Sequence, residues 1–266
     1  MSRVRTTHLA RRKAAGEKIP VLTAYDATMT RLLERAGIDV ILVGDSVGMV
    51  VLGYETTVPV TIADMLHHTK AVSRAALCSL VIADMPFLSD KLGETEMLRN
   101  AGQLLAEGGA AAVKIEGPRF DSVRTLVGAG IPVVGHLGLL PQQVHQLGGF
   151  TRQAQTEASG RQLLNDALAL EQAGVFALVL ECIPHELAAE VTRRLSVPTI
   201  GIGAGPGCDG QVLVSNDLFG LTDGPVPSFV KQYAHVGDDM VNAARKYIAD
   251  VTAGRYPETL DEHESR

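Results

Sequence analysis

The chain has 266 residues, 46% of them hydrophobic and 20% charged, which is enough apolar material for a sizeable core and too much for a disordered chain. Lys and Arg number 24 against 30 Asp and Glu, a formal charge of −6 with no basic stripe carrying interleaved aromatics, so a small molecule rather than a nucleic acid is the expected partner. No apolar run approaches the roughly 18 residues that cross a bilayer, and Cys78, Cys182 and Cys208 form no CxxC pair, so a soluble, cytoplasmic protein with no membrane association, no disulfide framework and no zinc ribbon is expected.

The first sixteen residues carry Arg3, Arg5, Arg11, Arg12 and Lys13 without an apolar signal core, and residues 1–20 read as an amphipathic helix or tail preceding the fold. Short β-branched or aliphatic runs then recur at 21–23, 40–43, 80–83, 112–115, 132–135, 177–180, 198–202 and 211–214, eight in all. The intervening segments 28–36, 62–76, 94–107, 160–173 and 186–195 combine Ala, Leu, Glu, Gln and Arg with spaced apolar positions, as helices do. Gly37, Gly109, Gly130 and Gly174 stand at or just past the expected helix ends. Strands apolar on both faces call for a parallel sheet covered by helices, and eight such units close most simply into a (β/α)8 barrel. The barrel is expected as a single domain over 21–251, with an open doubly wound sheet as the alternative. Loops 44–61 and 137–159 are long enough to cover or gate a site. Segment 228–250 reads as one further helix or pair, and 252–266 as a C-terminal tail.

Polar residues follow the apolar runs of strands two to six: Asp45 and Ser46, Asp84, Lys114 and Glu116, His136, and Glu181. In a barrel these strand ends meet around one rim, where active sites are built. Any one acid after a strand is more often a cap or turn residue, but that reading does not account for all of them together. Asp45 and Asp84, with Glu116 one strand further on, are hard oxygen ligands without a Cys or His cluster, which suits Mg²⁺. An α-keto acid chelated through its 2-oxo and carboxylate oxygens would then lose a proton at C3 to give a stabilised enolate. Glu181 is the candidate base, and Lys114 the candidate partner for the substrate carboxylate unless it forms a structural ion pair.

Three other signals are set aside. Gly44-Asp45-Ser46-Val47-Gly48 matches a nucleophile elbow, but an elbow opens a helix, and 49–61 is rich in β-branched residues and contains Gly53 and Pro59. The glycines of 201–207 do not complete GxGxxG, and a tight turn is expected there. His67 and His68 are neighbours on a helix and point apart, as surface or interface residues.

The strand ends Thr23-Ala24-Tyr25-Asp26, VGDSVGMVVLGYETTVPVT (43–61), IADMPF (82–87), VKIEG (113–117), GHLGLLPQ (135–142), LVLECIP (178–184) and IGIGAGPGCDGQVLV (200–214) closely resemble those of the ketopantoate hydroxymethyltransferases. The resemblance runs from about residue 21 to 251. It implies a Mg²⁺-dependent (β/α)8 enzyme that transfers a hydroxymethyl group from 5,10-methylenetetrahydrofolate to 3-methyl-2-oxobutanoate, giving 2-dehydropantoate in pantothenate biosynthesis. It further implies a cytoplasmic homo-oligomer, commonly a decamer. By position in the motifs, Asp45 and Asp84 correspond to metal ligands that also touch the keto acid, Ser46 to a residue holding that acid, and Lys114 to the substrate-binding lysine. Glu116 corresponds to the additional metal-site carboxylate, Glu181 to the proton acceptor, and His136 to a substrate-binding residue near the new hydroxymethyl group. Departures from the family pattern fall at Asp90, Leu140 and 150–158, and bear on the folate rather than on the keto acid. The alternative function is a Mg²⁺-dependent carbon–carbon lyase or mutase acting on another small 2-oxo acid, which a folate requirement would separate. A non-catalytic assembly subunit is disfavoured by the intact carboxylates.

Overall fold

Eight short strands, β1 Ile19–Thr23, β2 Val40–Val43, β3 Leu80–Asp84, β4 Ala112–Glu116, β5 Val133–Gly138, β6 Ala177–Glu181, β7 Thr199–Ile202 and β8 Gly210–Leu213, pair in parallel and in sequence order into a closed barrel. The structure, a computed structural model, describes residues 3–257; the remainder of the expected C-terminal tail, 258–266, lies outside the described residues. Closure of the sheet, by pairing of β1 with β8, excludes the open doubly wound alternative.

Helices alternate with the strands: α1 Thr6–Ala15, α2 Ala27–Arg35, α3 Val47–Val50, α4 Ile62–Ala75, α5 Glu94–Ala106, α6 Phe120–Gly128, α7 Val144–Leu147, α8 Glu157–Ala173, α9 His185–Arg194, α10 Ser215–Leu218 and α11 Val236–Thr252. Their ends follow local chemistry. Asp26 accepts the Met29 N–H at the start of α2, and Thr61 and Asp64 form a reciprocal capping box on α4. Gly174 closes α8 in the left-handed conformation at φ 107°, a conformation costly for a residue bearing a Cβ. Late in two outer helices, Glu34 accepts from the Leu77, Cys78 and Ser79 amides and Glu171 from those of Ser196 and Val197. Each carboxylate thereby ties its helix to the loop that feeds a strand further along the barrel.

Because side chains alternate along a strand, one parity faces the barrel interior. Ile19 and Val21, Val40, Leu80 and Ile82, Ala112, Val134, Ala177 and Val179, Ile200 and Val212 form one buried cluster. Leu9 of α1 joins it, and Lys13 of the same helix bonds Asp209 at 2.8 Å and the Thr192 carbonyl at 2.7 Å, so α1 stoppers the end of the barrel where the strands begin.

Several details differ from the sequence expectations. β1 begins two residues earlier than expected, and β5 runs on through Gly138. α6 ends near Gly130, an expected helix end, but its span is not among the segments whose composition reads as helical, because Phe120–Gly128 mixes β-branched residues with a terminal glycine. Residues 228–235 are not helical, and a single helix, α11, follows them. The chain divides into two compact units, one reaching Ser215 and holding the barrel, the other beginning at Asn216 and holding α11. Among the described residues no helix is long and apolar enough to cross a membrane.

Candidate active site

The interior parity of the strands continues to their C-terminal ends, where it changes from apolar to ionisable: Ile82 is followed by Asp84, Ala112 by Lys114 and Glu116, Val134 by His136, and Val179 by Glu181. Register then sets neighbours. Asp84 lies beside Lys114, and Glu116 beside His136. Asp45 stands just past β2, on a turn whose Gly44 has no room for a side chain, since a Cβ there would press on the Ser46 hydroxyl at 2.7 Å. All six ionisable residues expected at the site therefore meet at one rim, and all but Glu181 are buried. The Glu181 side chain is 14% exposed, enough to face a substrate.

The contacts form a continuous chain. The Asp45 amide donates to Asp84 Oδ2 at 3.0 Å, and Lys114 Nζ meets Asp84 Oδ1 at 3.1 Å and His136 Nδ1 at 3.4 Å. His136 lies between two carboxylates, with Nδ1 3.6 Å from Glu116 Oε1 and Nε2 3.1 Å from Glu181 Oε2, the latter an ion-pair contact without the alignment of a directed hydrogen bond. Lys114 is thus paired with Asp84, as the structural reading of that residue expected, while still lying at the rim.

Burial drives the electrostatics. It raises the Asp45 carboxyl well above its ordinary range, aided by the charges of Asp84 and Glu116, and it raises Asp84 against the pull of Lys114. Burial opposes the charge of Lys114 too, but Asp84, Glu116 and Asp45 outweigh it and hold the ammonium protonated. For His136, burial and Lys114 favour the neutral ring, while Glu116 and Glu181 favour the cation more strongly and carry it to about 9. Burial likewise works against ionised Glu116, and hydrogen bonding with His136 overcomes it.

The fit of a divalent cation follows from the donor set. Glu116 Oε1 and Asp84 Oδ1 are buried oxygens without a hydrogen-bond donor, although Asp84 keeps its ion pair with Lys114. Among the described residues no three His, Cys, Asp or Glu side chains are grouped so as to hold a metal ion by themselves. Such a carboxylate set suits Mg²⁺, which needs few protein oxygens and completes its shell with water and substrate oxygens.

Two contributors to the site went unassigned in the sequence. Gln142, in the turn Pro141–Gln143, donates its side-chain amide to Asp45 Oδ2 and to the Met85 carbonyl, each at 2.9 Å, and its backbone N–H to Glu116 Oε2 at 3.1 Å. The Tyr25 hydroxyl lies 2.8 Å from Ser46 Oγ, and His68 reaches the Tyr25 carbonyl at 2.7 Å. Both are polar residues closing a quoted motif, but nothing in their spacing tells which strand end they reach. His67 and His68 do touch edge to face, at 5.2 Å between ring centres, contrary to the expectation that they point apart; only His68 turns inward. Ser46 does precede a helical turn, α3, which the β-branched composition had argued against, yet its hydroxyl pairs with a tyrosine rather than a histidine base. The glycine-rich stretch after β7 is a tight turn packed on α9: a Cβ at Gly207 would press on Ala189 at 2.7 Å.

The backbone under Glu181 is clamped. Its carbonyl accepts the Leu139 N–H at 2.9 Å, and a Cβ on Gly138, at φ 99°, would overlap that same carbonyl oxygen. The next residue, Cys182, sits in the left-handed region at φ 47°, with its carbonyl bonded by the Gln153 N–H at 2.9 Å. A strained residue held from both sides fixes the direction of the carboxylate before it.

Comparison with known proteins bears on the family and the fold. Residues 3–259 match the family model described as ketopantoate hydroxymethyltransferase. A protein of Moorella thermoacetica named 3-methyl-2-oxobutanoate hydroxymethyltransferase is 56% identical over 259 residues, covering 97% of this chain and 96% of the relative. One of the same name from a Thermoanaerobacter species is 52% identical over 271 residues, covering 99% of each. Among solved structures, 2,3-dimethylmalate lyase, described as a PEP mutase/isocitrate lyase superfamily member, superposes with a TM-score of 0.60 at 18% identity over 98% of this chain and 91% of its own. Phosphonopyruvate hydrolase, solved with oxalate and Mg²⁺, does so with a TM-score of 0.63 at 13% identity over 97% and 90%. At those identities the likeness is one of fold.

Proposed function

The chain belongs to the ketopantoate hydroxymethyltransferase family, and from that membership and the rim geometry we propose that it transfers a hydroxymethyl group from 5,10-methylenetetrahydrofolate to 3-methyl-2-oxobutanoate, yielding 2-dehydropantoate for pantothenate biosynthesis. The observation that carries this reading is the pairing of Lys114 with Asp84 on one side of the rim and of His136 with Glu181 on the other. One pair suits binding of an anionic keto acid. The other suits movement of a proton.

The Lys114 ammonium, fixed by Asp84, takes the substrate carboxylate, and the Ser46 hydroxyl, backed by Tyr25, donates to the same acid. Asp45, Asp84 and Glu116 are the residues that would hold Mg²⁺, and Mg²⁺ when bound supplies Lewis-acid stabilisation of the enolate charge. Glu181 accepts the proton from C3, its carboxylate aimed by the clamped backbone described above. His136, protonated at neutral pH, lies 3.1 Å from that carboxylate and offers a proton donor beside the carbon that gains the hydroxymethyl group. The folate faces the rim from the side of loop 150–158, where Phe150 is exposed.

A lyase or mutase acting on another 2-oxo acid is left with fold-level support alone, whereas relatives above half identity carry the transferase name. Assembly as a homo-oligomer, a decamer by the family pattern, is supported by α11, and a cytoplasmic location is part of the same family reading. That helix buries none of its residues and leaves Met240, Val241, Tyr247, Ile248 and Val251 exposed along it. The test of the main reading is turnover of keto acid and folate after exhaustive chelation. Activity is expected to vanish and to return with Mg²⁺, and full activity in the chelated enzyme would overturn it.

A further inference from the structure

Gln142, which no motif assigned to the rim, touches three of its residues. It belongs to the loop after β5, yet it contacts the ends of β2, β3 and β4: Asp45 Oδ2 and the Met85 carbonyl through its side chain, and Glu116 Oε2 through its backbone. It is buried, and both side-chain contacts are to acceptors. An amide placed between a carboxylate and a carbonyl has only one satisfactory orientation, with the NH₂ group facing both and each of its two hydrogens used.

This arrangement commits one oxygen of each of two carboxylates to a neutral donor. Asp45 Oδ2 is committed to the Gln142 side chain, and Glu116 Oε2 to its backbone N–H. The other Glu116 oxygen, Oε1, is buried, takes no directed hydrogen bond and faces His136 Nδ1 at 3.6 Å. A carboxylate pinned through one oxygen cannot rotate to offer either at random, and a neutral donor can pin two carboxylates without bringing a charge that would compete with a cation. Lys or Arg in its place would satisfy the same oxygens but neutralise the site. A Glu in its place would have no side-chain N–H to give Asp45 and would add a further acceptor charge.

We propose that Gln142 is a positioning residue for the divalent-cation site, orienting Asp45 through its side chain and Glu116 through its backbone so that one oxygen of each is presented to the metal. The inference rests on the reading of Asp45 and Glu116 as metal ligands, and the experiment separates the two. Mn²⁺ serves as the probe, its free concentration followed by electron paramagnetic resonance during titration of the whole enzyme without keto acid or folate, for the wild type, Gln142→Met and Gln142→Glu. Thermal unfolding without metal is recorded in parallel. Gln142→Met keeps length and burial while removing both donors; Gln142→Glu keeps shape and reverses the sign of the contact. Loss of a residue that orients metal ligands costs about 10–100-fold in affinity, and a rise in the Mn²⁺ Kd of that size is expected in both variants, including one whose melting point is unchanged. No Mn²⁺ binding by the wild type would overturn the metal reading and this proposal with it. Wild-type binding with the same Kd in the variants would overturn the role of Gln142 alone. A lowered melting point with an unchanged Kd, or loss of the fold in both variants, would assign Gln142 to packing and overturn it equally.

Discussion

Replacing Glu181 by Gln isolates the proton-transfer step from binding. The substitution keeps side-chain volume and one acceptor oxygen, and the position of residue 181 is set by its backbone bond from Leu139 and by strand pairing rather than by the carboxylate, so the fold is expected to survive. The keto-acid groups, Lys114 and Asp84, pair with each other rather than with Glu181, so substrate affinity should change little. What is lost is the base and half of the support for the His136 cation, whose proton is held by Glu116 and Glu181 together. Removal of a general base costs about 10²–10⁴-fold, or about 3–5 kcal/mol of barrier. In the wild type, the C3 hydrogen of 3-methyl-2-oxobutanoate should exchange with solvent deuterium in the presence of Mg²⁺ and without folate, because proton removal precedes carbon transfer. In Glu181→Gln, exchange followed by proton NMR should fall by that factor, together with full turnover. Undiminished exchange in the variant would refute the argument, since another group would then be taking the proton.

Two further expectations concern stability and assembly. Burial raises the Glu34 carboxyl, but hydrogen bonds from Ser79, Cys78 and Leu77 outweigh it and hold the folded pKa below the ordinary Glu value, so its stabilising effect is complete above about pH 4.5 and is lost as pH falls through the lowered pKa. Glu34→Gln should therefore lower the melting temperature near neutral pH, by about 1–3 kcal/mol of stability, with the difference from wild type shrinking on acidification; a pH-independent difference would show that shape rather than charge matters. The exposed apolar residues of α11 should keep the chain associated on dilution, and Met240→Asp combined with Ile248→Asp should shift it to a smaller species in light scattering, whereas a wild-type monomer at all concentrations would refute self-association.

Most of the site was legible because it obeys the period of a strand. Lys114 and Glu116 are two apart, Asp84 and Glu181 end apolar runs, and in a parallel barrel every such end reaches the same rim, so strand count and parity together predict convergence without any knowledge of contacts. Gln142 and Tyr25 obey no such period. Gln142 reaches Asp45 across 97 residues of sequence, through a loop whose path is decided by where Glu116 and Met85 stand. The helix α6 was missed for a related reason: its residues have middling intrinsic preference, and what makes Phe120–Gly128 helical is burial of Val123 and Leu126 against the barrel. Local chemistry writes the elements that propensity favours, while tertiary packing decides those it does not.

Charge balance gives the most general reason for a cation at this rim. Among the described residues the ion-pair partners of Asp84, Glu116 and Glu181 are the Lys114 ammonium and the His136 imidazolium, and with Asp45 beside them the four carboxylates exceed these two cations by two charges when all are ionised, the complement of one divalent ion. Like charges about 4 Å apart at a protein surface repel by about 4 kcal/mol, more than a typical hydrogen bond contributes, so such a cluster must be relieved by protons or by a cation. The Asp45 carboxyl is driven upward by burial and by the charges of Asp84 and Glu116, the direction that such an imbalance favours. Offering the same carboxylates a divalent ion replaces the proton with a charge that also holds the substrate. A barrel that buries three acids beside a fourth at one end, on a core of aliphatic residues at the other, therefore keeps the electrostatic demand that its proposed chemistry uses.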